Sequence, residues 1–198
     1  NENQAGFRKE RRTEDQILKL VQSATDELHK ERGAGTIVTF FDFEKAFDKV
    51  WREGLINKMI KLGIPYRFIS YVRRFLSARR TCVDSNGTRS RNFYLNDGLP
   101  QGSSISPILF LIFINDIDGE IGNHTSRSLF ADDTAIWLTK GKDKEETERR
   151  AQEAINKIEQ WAEKWKMKLN VDKTEAMVIE TTKSGWEPNL KLGKKEKK

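Results

Sequence analysis

Two acidic sites in this sequence sit where carboxylates are expensive. Asp42 ends the β-branched and aromatic run Thr36 to Phe41. Asp132-Asp133 interrupts an apolar segment, with Leu129-Phe130-Ala131 before it and Ala135-Ile136-Trp137 after it. A carboxylate at the end of a buried strand is costly unless its charge is compensated. A hard divalent cation would compensate it. Mg²⁺ favours oxygen ligands and takes one or two carboxylates, completing its shell with substrate phosphates. Two such ions, ~4 Å apart, activate a 3′-hydroxyl and stabilise departing pyrophosphate in an in-line displacement. The local alternative is that Asp42 caps a helix start and Asp132-Asp133 shapes a tight hairpin.

Other chemistries find little support. Cys82 is the only cysteine, so no intrachain disulfide forms, and a reducing intracellular setting fits. His29 and His124 stand apart from any cysteine or histidine at ligand spacing, which disfavours zinc. The serines of Gly102-Ser-Ser-Ile-Ser106 lack a histidine–acid context, which disfavours a Ser-His-Asp enzyme. The longest strongly apolar run, Ile108 to Ile114, is too short to span a bilayer, and no membrane partner is expected. A formal charge of +6 over 198 residues favours an acidic partner or reflects an ordinary charged surface. In Tyr66-Arg-Phe-Ile-Ser-Tyr-Val-Arg-Arg-Phe75, aromatics interleave with arginines, and Arg79-Arg80 follow. Arg67, Arg73, Arg74, Arg79 and Arg80 are assigned to a nucleic-acid surface, whereas Phe68, Val72 and Phe75 are assigned to the core.

The elements that must position these residues read as α+β, in one unit without repeats. Thr13 and Gln16 have capping-box spacing, and Ile17, Val21, Ala24 and Leu28 recur at helical intervals until Gly33-Ala-Gly35. Thr36 to Phe41 is a buried strand, followed by a helix through Leu55, Ile56, Met59 and Ile60 that Glu44 and Asp48 favour at its start. Pro65 opens the next helix. Strands near Thr81–Val83 and Arg91–Leu95 flank a turn at Asn86-Gly87. Gly98 to Ser106 is a loop, and Ser106-Pro107 opens an apolar helix ending near Asp116. Ser128 to Leu138 forms two strands with Asp132-Asp133 at the bend. Asp143 caps a helix that buries Ala151, Ile155, Ile158, Trp161 (or Ala162) and Trp165. Met177 to Ile179 is a further strand, and Lys194 to Lys198 is expected to be disordered.

Four ordered segments resemble the reverse transcriptase signature. Phe41-Asp-Phe-Glu-Lys-Ala-Phe-Asp48 is similar to its first catalytic motif. Leu99-Pro-Gln-Gly-Ser103 with Ile105-Ser-Pro-Ile-Leu-Phe110 resembles its template and nucleotide-binding motif. Phe130-Ala-Asp-Asp133 resembles its metal-binding hairpin, and Leu169-Asn-Val-Asp-Lys-Thr174 its lysine-bearing motif. Asn3-Gln-Ala-Gly-Phe-Arg8, Thr13-Glu-Asp15 and Ile114-Asn-Asp-Ile117 are similar to flanking segments of non-LTR (LINE-type) retrotransposon proteins. The resemblance runs from about residue 3 to about 180.

The resemblance implies an RNA-directed DNA polymerase using two Mg²⁺ ions, with Mn²⁺ as a substitute. Its partners would be an RNA template, a DNA primer and deoxynucleoside triphosphates, inside the cell in cytoplasm or nucleus. Asp42 and Asp132 would ligate metal with the Phe43 carbonyl, and Asp133 would complete the acidic cluster. Lys45 and Ala46 would meet the triphosphate and sugar through their main chain. Phe47 would exclude a ribose 2′-hydroxyl, Gln101 and Gly102 would line the nucleotide pocket, and Ala131 would face the primer end. Lys173 matches the general acid for pyrophosphate departure; the alternative is a surface lysine. The fold would be an antiparallel palm sheet packed on helices, about 36–63 and 101–182. Fingers-like parts would span 1–35 and about 64–100, with a polar tail at 183–198. Further fingers strands would precede residue 1, and primer grip and thumb would follow residue 198, leaving the piece alone weakly active or inactive. A group II intron-type or domesticated enzyme, and a non-enzymatic nucleic-acid-binding remnant, are the other readings.

Overall fold

The β-branched and aromatic run after residue 35 becomes a central strand because its side chains are apolar on both faces. The computed structural model describes residues 2–29, 35–122, 125–139, 141, 143–180, 185–193 and 195–197. The elements are α1 (Thr13–Leu28), β1 (Thr36–Phe41), α2 (Arg52–Lys61), α3 (Tyr66–Leu76), β2 (Arg80–Thr81), β3 (Asp84–Ser85), β4 (Thr88–Arg89) and β5 (Phe93–Tyr94). They continue with α4 (Ser106–Ile114), α5 (Ile117–Ile121), β6 (Ser126–Phe130), β7 (Asp133–Leu138), α6 (Lys144–Lys164), β8 (Glu175–Ile179), β9 (Leu190–Leu192) and β10 (Lys195–Lys197). The class is α+β, as expected. Contacts divide the chain into two units, Asn1–Glu44 with Ile114–Lys198, and Lys45–Phe113.

The first unit is built on an antiparallel sheet of order β6-β7-β1-β8. α6 packs against β1 and β7, and its expected stripe of Ala151, Ile155, Ile158, Trp161, Ala162 and Trp165 is buried. Trp161 also donates its indole N–H to Asp116 at 2.8 Å and meets Phe43 edge-on, so both tryptophans serve packing. Asp143 caps α6 by accepting the Glu146 N–H, as expected.

Three expectations in this unit need correction. The N-cap of α1 is Arg12, whose N–H donates to the Asp15 carboxylate, not Thr13 with Gln16. Gln16 instead accepts from the Ser128 hydroxyl. Of the expected α1 stripe only Ala24 is buried; Ile17 and Val21 are half exposed. The physical reason is that Ile17 and Leu20 border an open apolar cleft with Phe40, Phe130 and Trp137. In the tail, β10 pairs with β9 instead of being disordered. The Gly33-Ala34 stop and His124 fall outside the described residues.

The second unit contains α2, α3, the two short ribbons and most of α4. The turn expected at Asn86-Gly87 is present, with φ of 49° and 78°, the positive pair a two-residue hairpin demands. It joins β3 to β4, and β2 pairs with β5 outside it, so the two expected strands form nested two-residue ladders. Residues 44–49 are turns, and α2 starts only at Arg52, so Glu44 and Asp48 do not open that helix. Among the described residues no helix is long and apolar enough to cross a membrane.

Candidate active site

The sheet register places the acids. Phe41 pairs with Thr134, so the next step of that ladder sets Asp42 opposite Asp133. Phe130 pairs with Asp133 across the β6–β7 hairpin, leaving Ala131 and Asp132 as its two-residue turn. Ala131 adopts φ +57°, a left-handed conformation uncommon for alanine. Asp42 and Asp132 are half-buried and Asp133 is exposed. The Asp133 carboxyl is pushed above its ordinary pKa, first by partial loss of hydration and then by the charges of Asp132 and Asp42. Asp133 therefore senses the charges of Asp132 and Asp42, and a cation would relieve that repulsion.

The residues after Asp42 bring in a further element. Phe43 and Leu169 form an antiparallel bridge in which Asn170 N–H donates to the Asp42 carbonyl and Glu44 N–H to the Lys168 carbonyl, each at 2.8 Å. In that pattern the Phe43 carbonyl is not used by the bridge, leaving it for another ligand. A Lys168–Glu44 ion pair at 2.8 Å braces the same contact. Lys173 is exposed on the turn that follows, its own N–H bonded back to Asn170. This donor set, carboxylates plus one backbone carbonyl, fits a hard divalent cation. Among the described residues no group of three or more His, Cys, Asp or Glu side chains is placed to hold a metal ion by itself.

In the second unit, Phe47, Pro100, Gln101, Gly102, Ser103, Ser104, Ser106 and Pro107 line a cleft of about 580 Å³. Half-buried Phe47 stacks on the fully buried Phe110 with centroids 4.5 Å apart. Lys45 is exposed at φ +50° and Ala46 is buried. The loop is held at several points. Leu99 N–H donates to the Phe47 carbonyl at 2.8 Å, and Gln101 Nε2 to Asp48 at 3.0 Å. Gly98, at φ +80°, lies so near the Asp48 carbonyl that a Cβ would sit 2.5 Å from its oxygen.

Sequence reading missed Arg52, whose guanidinium donates to the carbonyls of Leu95 (2.6 Å), Asp97 (2.7 Å) and Gly98 (2.9 Å). An arginine just inside a helix start carries no local signal of that role. It also missed Gln4, which reaches the Ala131 amide. The five arginines have different neighbours. Arg67 and Arg74 lie on the exposed face of α3, Arg73 turns to Glu53 at 3.6 Å, Arg79 borders a cleft with Arg73, and Arg80 lies over Tyr94. The α3 core is Ile69, Val72 and Leu76, so the expected packing of Phe68 and Phe75 is corrected: Phe68 is half exposed and Phe75 only partly covered.

Comparison with known proteins shows the family. The family model described as reverse transcriptase (RNA-dependent DNA polymerase) matches residues 1–196. The RNA-directed DNA polymerase from mobile element jockey of Drosophila funebris is 33% identical over 176 residues, which covers 86% of this chain and 19% of that protein. Its counterpart from Drosophila melanogaster is 32% identical over 200 residues, covering 96% and 21%. The chain thus spans about a fifth of the length of these curated relatives. Apo telomerase from Candida tropicalis, truncated from its C-terminal domain, superposes with a TM-score of 0.66 at 15% identity, covering 92% of this chain and 37% of that one. That likeness speaks to the fold alone. With motif order, sheet register and family match in agreement, the chain belongs to the reverse transcriptase (RNA-dependent DNA polymerase) family.

Proposed function

We propose that the full-length protein carrying this chain adds deoxynucleotides to a DNA primer while copying an RNA template, within a non-LTR retrotransposon protein. The observation that carries the reading is the convergence of Asp42, Asp132 and Asp133 at the ends of β1, β6 and β7. Asp42, Asp132 and the Phe43 carbonyl would hold Mg²⁺, and Asp133 would complete the acidic cluster. When bound, Mg²⁺ (or Mn²⁺) would acidify the primer 3′-hydroxyl and neutralise the departing pyrophosphate.

The remaining roles belong to the chain itself. Lys173 donates a proton to the leaving group from its exposed turn. Lys45 and Ala46 meet the triphosphate and sugar through their backbone, Gln101 and Gly102 line the nucleotide cleft, and Phe47 crowds the sugar's 2′ position. Ala131 meets the primer end. Arg67 and Arg74 contact nucleic-acid phosphates, and the exposed Tyr71 and Phe68 rings beside them offer stacking surfaces. Arg73, Arg79 and Arg80 supply more distant positive charge. Residues from about 36 to 63 and from 101 to 182 act as palm, and residues 1–35 and about 64–100 as fingers-like parts.

The test is primer extension by the purified full-length protein on an RNA template with deoxynucleoside triphosphates. Extension that stops on chelation of Mg²⁺ is expected. RNA binding without any extension would favour a non-enzymatic binding protein instead.

A further inference from the structure

The segment Asn3-Gln-Ala-Gly6 precedes every catalytic motif, yet it adds itself to the edge of the catalytic sheet. Ala5 N–H donates to the Leu129 carbonyl at 2.8 Å, and Leu129 N–H to the Asn3 carbonyl at 2.9 Å, in a parallel bridge on β6. Asn3 is anchored in turn: its Nδ2 donates to Asp118 at 2.8 Å, and its Oδ1 accepts from Lys19 at 2.9 Å. This docking delivers the Gln4 side chain, only 6% exposed, beneath the β6–β7 turn.

There its Oε1 accepts two backbone N–H groups, from Gly6 at 2.8 Å and from Ala131 at 2.9 Å. Ala131 is the residue with φ +57° that leads directly into Asp132, and its amide is buried. Gly6 is equally constrained, since a Cβ there would lie 2.3 Å from the Ala131 nitrogen. The Gln4 Nε2 is buried without a hydrogen-bond partner among the described residues. A carboxamide that strands its donor while its oxygen serves two amides is held for the oxygen, and flipping it would face NH₂ against two N–H donors. Left-handed residues at functional sites persist only where their surroundings hold them.

We propose that Gln4 is a positioning residue of the active site, its carboxamide oxygen holding the left-handed Ala131 turn that aims Asp132. The inference rests on the reading of Asp132 as a metal ligand. Gln4 touches neither substrate nor metal; it acts through the turn. It also gives the Gln-x-Gly spacing of the opening segment a physical purpose: the glutamine supplies the acceptor, and the glycine lets the backbone come close enough to use it.

The experiment compares Gln4→Met, which keeps length but loses the acceptor, with Gln4→Glu, which keeps an acceptor oxygen in either protonation state. In the full-length protein, Gln4→Met should lower kcat for single-nucleotide addition by ~10-fold to ~10²-fold, the scale of a small misplacement of reacting groups. The Mg²⁺ concentration for half-maximal rate should rise, while the deoxynucleotide KM stays within ~2-fold and Gln4→Glu recovers to within ~3-fold of the unmodified rate. A readout independent of activity is amide hydrogen exchange at Ala131 in the unmodified, metal-free protein, which should be slow for a turn residue and fast in Gln4→Met. Normal kcat in Gln4→Met, or equal impairment of Gln4→Glu, overturns the proposal. Should Gln4→Met not fold, free-peptide exchange at Ala131 in the unmodified protein overturns it and protected exchange upholds it. Asp132→Asn separates the two layers: its retention of activity removes the metal reading, whereas its loss beside a normal Gln4→Met removes only the role of Gln4.

Discussion

Phe47→Val should let ribonucleotides into the proposed nucleotide cleft at a modest cost in stability. The ring has two sides with different surroundings: one stacks on buried Phe110 at 4.5 Å and 15°, and the residue borders the cleft with Gln101 and Gly102. Valine loses the stack, worth ~0.5–1.5 kcal/mol, and part of the transfer energy of a half-buried ring, so ~1–2 kcal/mol of destabilisation is expected. It also frees the space a 2′-hydroxyl needs. An apolar pocket rejects a bare hydroxyl poorly, so discrimination has to come from close contact. Removing that contact should raise ribonucleotide incorporation ~10-fold relative to deoxynucleotide, equivalent to ~1.4 kcal/mol of differential binding. The assay is single-nucleotide addition by the full-length protein with each sugar, beside a thermal melt. Parallel loss of both activities with a lowered Tm, and no change in their ratio, would refute the gate and leave Phe47 as a packing residue.

Arg52→Lys should destabilise the second unit by about 2–3 kcal/mol, because an ammonium cannot serve three carbonyls as the guanidinium fork does. Faster amide exchange at Leu99 and Gln101 would show the loop loosening, and unchanged exchange would count against it. For Asp118, burial opposes ionisation, but hydrogen bonds from Arg127 and Asn3 outweigh it and hold the carboxyl below its ordinary pKa. A depressed carboxyl contributes stability above its unfolded pKa and loses it as pH falls through the folded value. Asp118→Asn should therefore cost about 1–3 kcal/mol at neutral pH and progressively less in acid, measured by unfolding across that range. A penalty independent of pH would contradict the charged pairing.

The convergence of the acids was legible because Asp42 and Asp132-Asp133 each interrupt an apolar run, and the antiparallel register brings those runs together. The α6 stripe was legible for the same reason of periodicity: Ala151, Ile155, Ile158 and Trp161 repeat on one face that meets the sheet. Periodicity misled at α1, where Ile17 and Val21 have core spacing but are half exposed, Ile17 on an open cleft, and at α3, where Phe68 lies off the Ile69–Val72–Leu76 line. Gln4 and Arg52 were invisible because their partners are backbone groups of distant or irregular segments, which no side-chain pattern encodes. Residues 44–49 have helix-compatible composition, yet the Phe43–Leu169 bridge and the Phe47–Leu99 hydrogen bond draw that backbone into turns.

The central claim is that Asp42 and Asp132 hold the catalytic metal. The most direct test is the single-turnover rate of nucleotide addition by Asp42→Asn and Asp132→Asn in the full-length protein, with Tm and primer–template affinity measured in parallel. Each substitution keeps shape but removes a charged ligand, so the rate should fall by ~10²-fold or more while Tm and affinity hold. A rate near that of the unmodified protein in either variant would contradict the account.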